Sequence, residues 1–231
     1  VRIIYQPRRG IYNWNGVVVK GLERDVPCHG FYFNPGNAKR YDLGTFVGAG
    51  PAPKPFAGHT QPVIFADKFD GADASAWKDY GTPTQRKDGH LVGGKGMVTI
   101  QEKVNETNLM ASVEARSDAE AGIILRFHDA DHYLVGFYSP SLKTIYFHDR
   151  KNGAWGDPLG QVTVPEIGPK IRLTAAACGE YAALVLTDGK KTYSTPSVKV
   201  GNVTSGKAGL WFFQIGDRQE FGNFELSRTP F

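Results

Sequence analysis

The chain has 231 residues, 41% of them hydrophobic and 22% charged, which is an ordinary globular composition and enough length to bury a core without metal or disulfide staples. Its formal net charge of +4 comes from Lys and Arg scattered among acidic residues with no basic run, so the electrostatic footprint of a nucleic-acid binder is missing. No apolar run reaches membrane-spanning length.

Abundant glycine (28) and proline (14), with aromatics at 12%, favour short strands joined by tight turns over helices. Residues 1–47 contain strand-like pieces at Arg2–Tyr5, Val17–Lys20 and His29–Phe33, then a turn at Asn34-Pro35-Gly36-Asn37 before Arg40–Phe46. Such a piece is too short for an independent sandwich. It reads as a small β segment that either packs on the larger domain or is the remnant of an upstream β-sandwich module, and Val1 in place of Met suggests a processed or partial chain. Its FYFNPGNAKRYDLGTF run loosely resembles the last hairpin of β-sandwich domains that follow the catalytic barrel in bacterial glycosidases. Residues 48–62, rich in Ala, Gly and Pro, form a semi-extended linker.

From residue 63 to 231 the chain is a procession of strands: Met97–Lys103, Thr107–Arg116, Gly122–His128, His132–Ser139, Thr144–Asp149, Gln161–Val164, Lys170–Ala177, Tyr181–Thr187, Thr192–Val198, Gly206–Gln214 and Gln219–Ser227. Asp88-Gly89, Lys151-Asn152-Gly153, Cys178-Gly179 and Asp188-Gly189 supply the turns between them. Turn signals every roughly 8–12 residues indicate an all-β sandwich or jelly roll of two antiparallel sheets. Cys28 and Cys178 have no CxxC spacing; they pair in an oxidising compartment or are two buried thiols.

In Ala121–Tyr138 (AGIILRFHDADHYLVGFY) the odd positions Ile123, Leu125, Phe127, Tyr133, Val135 and Phe137 are apolar. If the turns through Ser117–Glu120 and Asp129–Asp131 pair odd with odd, one face collects Glu114, Arg126, His128, Tyr138, Tyr146 and His148. A solvated polar face, with Arg126 pairing Glu114, explains this set as well as a binding surface does. Bidentate donors beside aromatic rings suit neutral sugars, whose hydroxyls need paired partners and whose C–H faces stack on rings. Trp155, in a Gly-rich loop with little core to enter, joins the candidate ligand residues. Either Trp211 or its neighbours Leu210 and Phe212 face the core, and Trp77 is expected in it.

Catalytic patterns are thin. No alternating run of carboxylates occurs of the kind that flanks a glycosidic bond, and no Gly-x-Ser-x-Gly elbow is present. His128, Tyr138 and Arg126 contain the parts of a lyase site. A metal site from His128, His132 and His148 lacks single-face spacing. Asp67, Asp70 and Asp73 offer oxygen ligands to a hard cation such as calcium, although a polar loop uses the same residues.

The segments FADKFDG…AWKDYG, AGIILRFHDADHYLVGFY, KIRLTAAACGEYAALVLTDGKK and SGKAGLWFFQIGDRQEFGNFEL, taken in order, resemble the concanavalin A-like (laminin-G-like) jelly-roll superfamily. More narrowly, they are similar to its bacterial carbohydrate-binding modules and the related 3-keto-disaccharide hydrolase domain. The resemblance implies a jelly-roll sandwich that holds sugar on a concave sheet through Arg126, with Glu114, Tyr138 and His148 beside it. The final strand of such domains reads Phe-Asp-Asn-Phe, whose Asp helps hold structural calcium. Gly222 stands in that place here and weakens that expectation.

The expected function is a non-catalytic carbohydrate-binding module of a secreted polysaccharide-degrading protein, extracellular or periplasmic, with no cofactor. Its ligand residues are Arg126, Glu114, His128, Tyr138, Tyr146, His148 and Trp155. Expected partners are an oligo- or polysaccharide and an upstream catalytic domain, with no nucleic acid and no membrane span. The alternatives are a glycoside hydrolase or polysaccharide lyase of the same fold, using His128, Tyr138 or Glu114, and a structural or adhesive surface domain.

Overall fold

A computed structural model of the chain describes residues 3–6, 11–14, 17–20, 62–71, 74–93, 97–200, 205–213 and 219–229. Among them every regular element is a strand, as the turn-rich composition requires. Near the start, β1 (Ile3–Gln6), β2 (Ile11–Trp14) and β3 (Val17–Lys20) form a three-stranded antiparallel sheet. The expected strands at His29–Phe33 and Arg40–Phe46, the turn between them and the linker lie outside the described residues.

The larger part begins with β4 (Val63–Asp67), β5 (Trp77–Tyr80), β6 (Gln85–Lys87), β7 (His90–Val92) and β8 (Met97–Gln101). Its long strands are β9 (Leu109–Arg116), β10 (Ala121–Asp129), β11 (His132–Ser139) and β12 (Thr144–Lys151), followed by the short β13 (Ala154–Trp155) and β14 (Leu159–Thr163). Then come β15 (Lys170–Cys178), β16 (Tyr181–Thr187), β17 (Thr192–Ser194), β18 (Val198–Lys199), β19 (Lys207–Phe212) and β20 (Glu220–Arg228). Asp88-Gly89 and Asn152-Gly153 make two-residue hairpins with both central residues at positive φ (51° and 74°; 49° and 75°). That backbone twist matches paired strands and selects Asx-Gly.

These strands build two antiparallel sheets. The first runs β13-β12-β11-β10-β19-β8-β5 with β14 on β12, and the second runs β17-β16-β15-β9-β20-β7-β6 with β18 on β16 and β4 on β20. The core lies between them, where Ile123, Leu125, Leu134, Phe147 and Leu210 of the first sheet meet Val113, Leu173, Leu184, Phe221 and Leu226 of the second. Trp77 packs on this core as expected, with its ring 5.0 Å from that of Phe224. Its indole donates to Asp67 (2.8 Å), and Arg86 grips the same carboxylate through both terminal nitrogens (3.0 and 2.6 Å). Burial pushes the Asp67 carboxyl up, but Arg86, the Phe69 amide and the Trp77 indole together hold it below the usual carboxylate range. Asp67 is therefore committed to the frame. Cys178, buried at the end of β15, is disulfide-bonded, which removes the two-free-thiols reading for it; Cys28 lies outside the described residues.

Two register expectations are corrected. β9 does not pair with β10: it pairs with β15 and β20 in the second sheet, and the turn after it crosses the sandwich. That crossing is pinned by the Ser117 amide donating to Pro169 O (3.0 Å) and the Tyr138 hydroxyl donating to Ser117 O (3.1 Å). The β10–β11 hairpin closes on Asp129 opposite His132, a two-residue loop that pairs odd positions with even ones. Phe137 therefore faces away from the second sheet while Tyr138 faces into the core, the reverse of the sequence reading.

Candidate functional site

The register puts an aromatic surface on the outer face of the first sheet. Gly122 lies between Trp211 on β19 and Phe137 on β11, and Phe137 lies opposite Tyr146 on β12. Two residues along, Ile124, Val135 and His148 form the next row, and Tyr133, Arg150 and Trp155 the one beyond. A strand buried on both faces reads as a continuous apolar run, and AGIIL is one. Gly122 is required here: a Cβ would sit 3.0 Å from Trp211 Cβ and 3.2 Å from Phe137 Cε1. Its absence lets those two side chains close over the strand.

The rings meet largely edge to face, the geometry their quadrupoles favour. Phe137 and Trp211 are 4.5 Å apart at 80°, Tyr146 and His148 5.2 Å at 87°, and Trp155 and Trp211 6.0 Å at 89°. His148 lies 5.6 Å from Trp155, and Phe213 lies 5.0 Å from Trp211. Phe137, Tyr146 and Trp211 are buried, whereas Trp155 (43%) and Phe213 (45%), each in ring contact with Trp211, expose ring surface. The Arg150 guanidinium sits 4.8 Å above the Trp155 ring and donates through Nε to Ala130 O (3.1 Å), which holds that ring in place.

Polar groups border the rings. His148 Nδ1 lies 2.9 Å from Gly156 O; a carbonyl only accepts, so Nδ1 carries the proton and Nε2 of the neutral ring is an acceptor. Glu120, immediately before β10, accepts from Ser139 Oγ (2.9 Å), and its burial pushes its carboxyl above the usual range against the pull of Ser139 and Ser141. Burial, reinforced by the Glu120 charge, pushes the Tyr146 phenol up as well, so it stays a proton donor.

Of the residues expected to bind ligand, Tyr146, His148 and Trp155 come together here. The other four do not. Arg126 is 2% exposed, at φ 54° in a bulge where the β10 register shifts, and its guanidinium donates to Gly179 O in the β15–β16 turn. The bulge turns it away from solvent, so it ties the two sheets together. Glu114 stands on the second sheet, bound by Arg172 (3.5 Å) and by the Asn223 amide (2.7 Å), not by Arg126. Tyr138 is in the core, its hydroxyl used by Ser117 O. His128 is exposed at the hairpin end, 3.3 Å from Asp129. The catalytic sets drawn from His128, Tyr138, Arg126 and Glu114 are thus dispersed over four places.

His132 is held by Asp129 (2.8 Å) and Asn152 (3.0 Å), and no group of three or more metal-ligating side chains occurs among the described residues. The sequence left Trp211 open against Leu210 and Phe212; the latter two face the core and Trp211 the outer face, whereas Phe137, Phe213 and Glu120 were missed from sequence. Gly122 opposite an aromatic residue was the signal available.

No family model and no curated protein matches the chain. Solved structures do. The carbohydrate binding module CBM66 from Bacillus subtilis matches with a TM-score of 0.52 at 12% identity, over 65% of this chain and 95% of that one. The GH43B protein of the Bacteroides ovatus xyloglucan locus matches with a TM-score of 0.54 at 14% identity, over 74% of this chain but only 40% of its own length. The exoplasmic/lumenal domain of VIP36, bound to calcium and Man3GlcNAc, matches with a TM-score of 0.52 at 10% identity, over 72% of this chain and 89% of that one. At these identities the likeness is one of fold: the chain forms a concanavalin A-like jelly-roll sandwich of two antiparallel sheets.

Proposed function

We infer that the protein is a non-catalytic glycan-binding module, with its ligand on the aromatic outer face of the first sheet. The observation that carries this is the Trp155–Trp211–Phe213 cluster, in which Trp155 and Phe213 are exposed and His148 stands beside Trp155. Rings offer a flat apolar surface to sugar C–H groups, while nearby donors and acceptors fix the hydroxyls. The fold shared with CBM66 and with VIP36 bound to Man3GlcNAc supports this reading. The match to 40% of a GH43 protein supports a place beside a catalytic domain in a secreted polysaccharide-degrading protein, extracellular or periplasmic.

Isothermal titration of the full chain against neutral and acidic oligosaccharides tests it. One or more neutral glycans should bind, and Trp155→Ala should weaken that binding by about 1.5–2 kcal/mol, some tenfold or more, with little loss of stability because the ring is half exposed. Silence across the panel sinks the proposal and leaves the structural or adhesive reading. Release of cleaved product from a bound glycan moves the protein to the enzyme reading.

A further inference from the structure

We propose a second glycan site on the opposite sheet: a cleft over β9, β15 and β20 that takes a neutral hydroxylated saccharide by its edge. It shares a ligand class with the proposed function but uses separate residues, so either stands without the other.

The cleft has a volume of about 410 Å³, within the range of small-ligand pockets. Its floor follows from the register. Arg172 lies between Thr187 and Glu114, and Glu114 lies opposite Gly222. Val113, Ile171 and Leu173 point into the core, so Glu114 and Arg172 point outward. Gly222 lets the His90 ring of the lining close over β20, where a Cβ would sit 3.3 Å from Cδ2. At the bulge in β20, Asn223 adopts φ 47° and its amide meets Glu114 Oε2 at 2.7 Å. A left-handed non-glycine residue that orients a carboxylate is a device found at binding sites.

The chemistry of the lining selects the ligand. Arg116, Lys170 and Arg172 face Glu114, Asp188 and Glu220, an equal number of each sign. Most of these charges are already compensated. Arg116 is chelated by Asp118 (2.9 and 2.8 Å), Arg172 is bound by Ser112 (2.6 Å), Glu225 and Glu114, and Asp188 accepts the amides of Gly168, Lys190 and Lys191. A lining of balanced sign exerts little net pull on an ion. It does hold charge-assisted donors and acceptors in alternation, which is what adjacent hydroxyls bind. No aromatic ring other than His90 lines the cleft among the described residues, so the sugar enters edge-on rather than stacked. With a site on each sheet, one molecule bridges two glycan chains.

Amide chemical-shift mapping of the full chain during titration with cello-, xylo-, manno- and galacturono-oligosaccharides tests this. The amides of Ala115, Gly189 and Gly222 should shift saturably with a neutral oligosaccharide, in wild type and in Trp155→Ala. Glu114→Gln and Arg172→Met should each weaken that response at least about tenfold. The wild-type map stands alone if either variant misfolds. Shifts confined to the Trp155 and Trp211 surface overturn the second site and leave the proposed function intact. Shifts at the cleft with galacturono-oligosaccharides alone overturn the neutral class. No shift on either sheet removes both.

Discussion

Replacing Arg126 by alanine separates a structural arginine from a sugar-binding one. Its side chain is 2% exposed, its guanidinium donates to Gly179 O across the sandwich, and Gly206 packs so tightly on it that a Cβ there would lie 2.5 Å from the Arg126 carbonyl carbon. Loss of a hydrogen bond from a charged donor removes about 1.5–3 kcal/mol, and the two buried methylenes that alanine lacks about 1.6 kcal/mol more. Freed side-chain entropy returns about 2 kcal/mol. The net destabilisation is about 1–2.5 kcal/mol, which for a domain of this size lowers Tm by roughly 2–10 °C. Denaturation followed by tryptophan fluorescence reads the change directly. Because Arg126 sits at φ 54°, Arg126→Gly should be about 1 kcal/mol less damaging than Arg126→Ala. Glycan affinity of the folded fraction should be unchanged in both. A variant that melts with the wild type but has lost its ligand refutes this reasoning and restores Arg126 to the binding surface.

Gly122→Ala should lower stability by about 1–3 kcal/mol through overpacking against Trp211 and Phe137, and weaken glycan binding with it; a binding isotherm matching wild type refutes the placement of the site. Asp67→Asn breaks a half-buried pair with Arg86 and should cost roughly 2–4 kcal/mol at pH 7, read by urea denaturation. Because the folded Asp67 carboxyl lies below its unfolded value of 3.8, its contribution is full above that pH and is lost as pH falls through the folded value, so the variant's deficit should shrink in acid. Glu120 has the opposite sign. Its folded value is raised above 4.5, so the charged form is penalised at neutral pH, and Glu120→Gln should raise Tm at pH 7 with the gain vanishing as pH falls below about 4.5.

The sandwich was legible in the sequence because period-two apolar runs and Asx-Gly turns are local signals, and Asp88-Gly89 and Asn152-Gly153 form the hairpins their chemistry dictates. The site was less legible. Parity assigns residues to faces only when one face is polar, and β10 is buried along Ala121–Phe127 on both sides. Which row faces the other sheet then depends on events that leave little trace in sequence. One is the two-residue loop at Ala130-Asp131, one is the bulge at Arg126, and one is the crossing of Ser117–Glu120 between sheets. Each moves polar residues by whole faces. Tyr146, His148 and Trp155 kept their common face because β12 and β13 are adjacent and the Asn152-Gly153 turn sets their register locally.

An outer face this aromatic needs an explanation other than stability. Phe137, Tyr146 and Trp211 point away from the second sheet yet are at most 9% exposed, because they are packed against one another and against Trp155 and Phe213. That arrangement confines the exposed apolar area to two rings and braces both, Trp155 by Arg150 and His148, Phe213 by Trp211. Exposed rings that hold up nothing beneath them add little to folding. Rings already fixed lose little side-chain freedom when a ligand settles on them, a loss of about 0.5–1.5 kcal/mol for each mobile side chain immobilised. The buried rings therefore serve the exposed ones, and Gly122, by letting Phe137 and Trp211 close over β10, is the residue on which that rigidity depends.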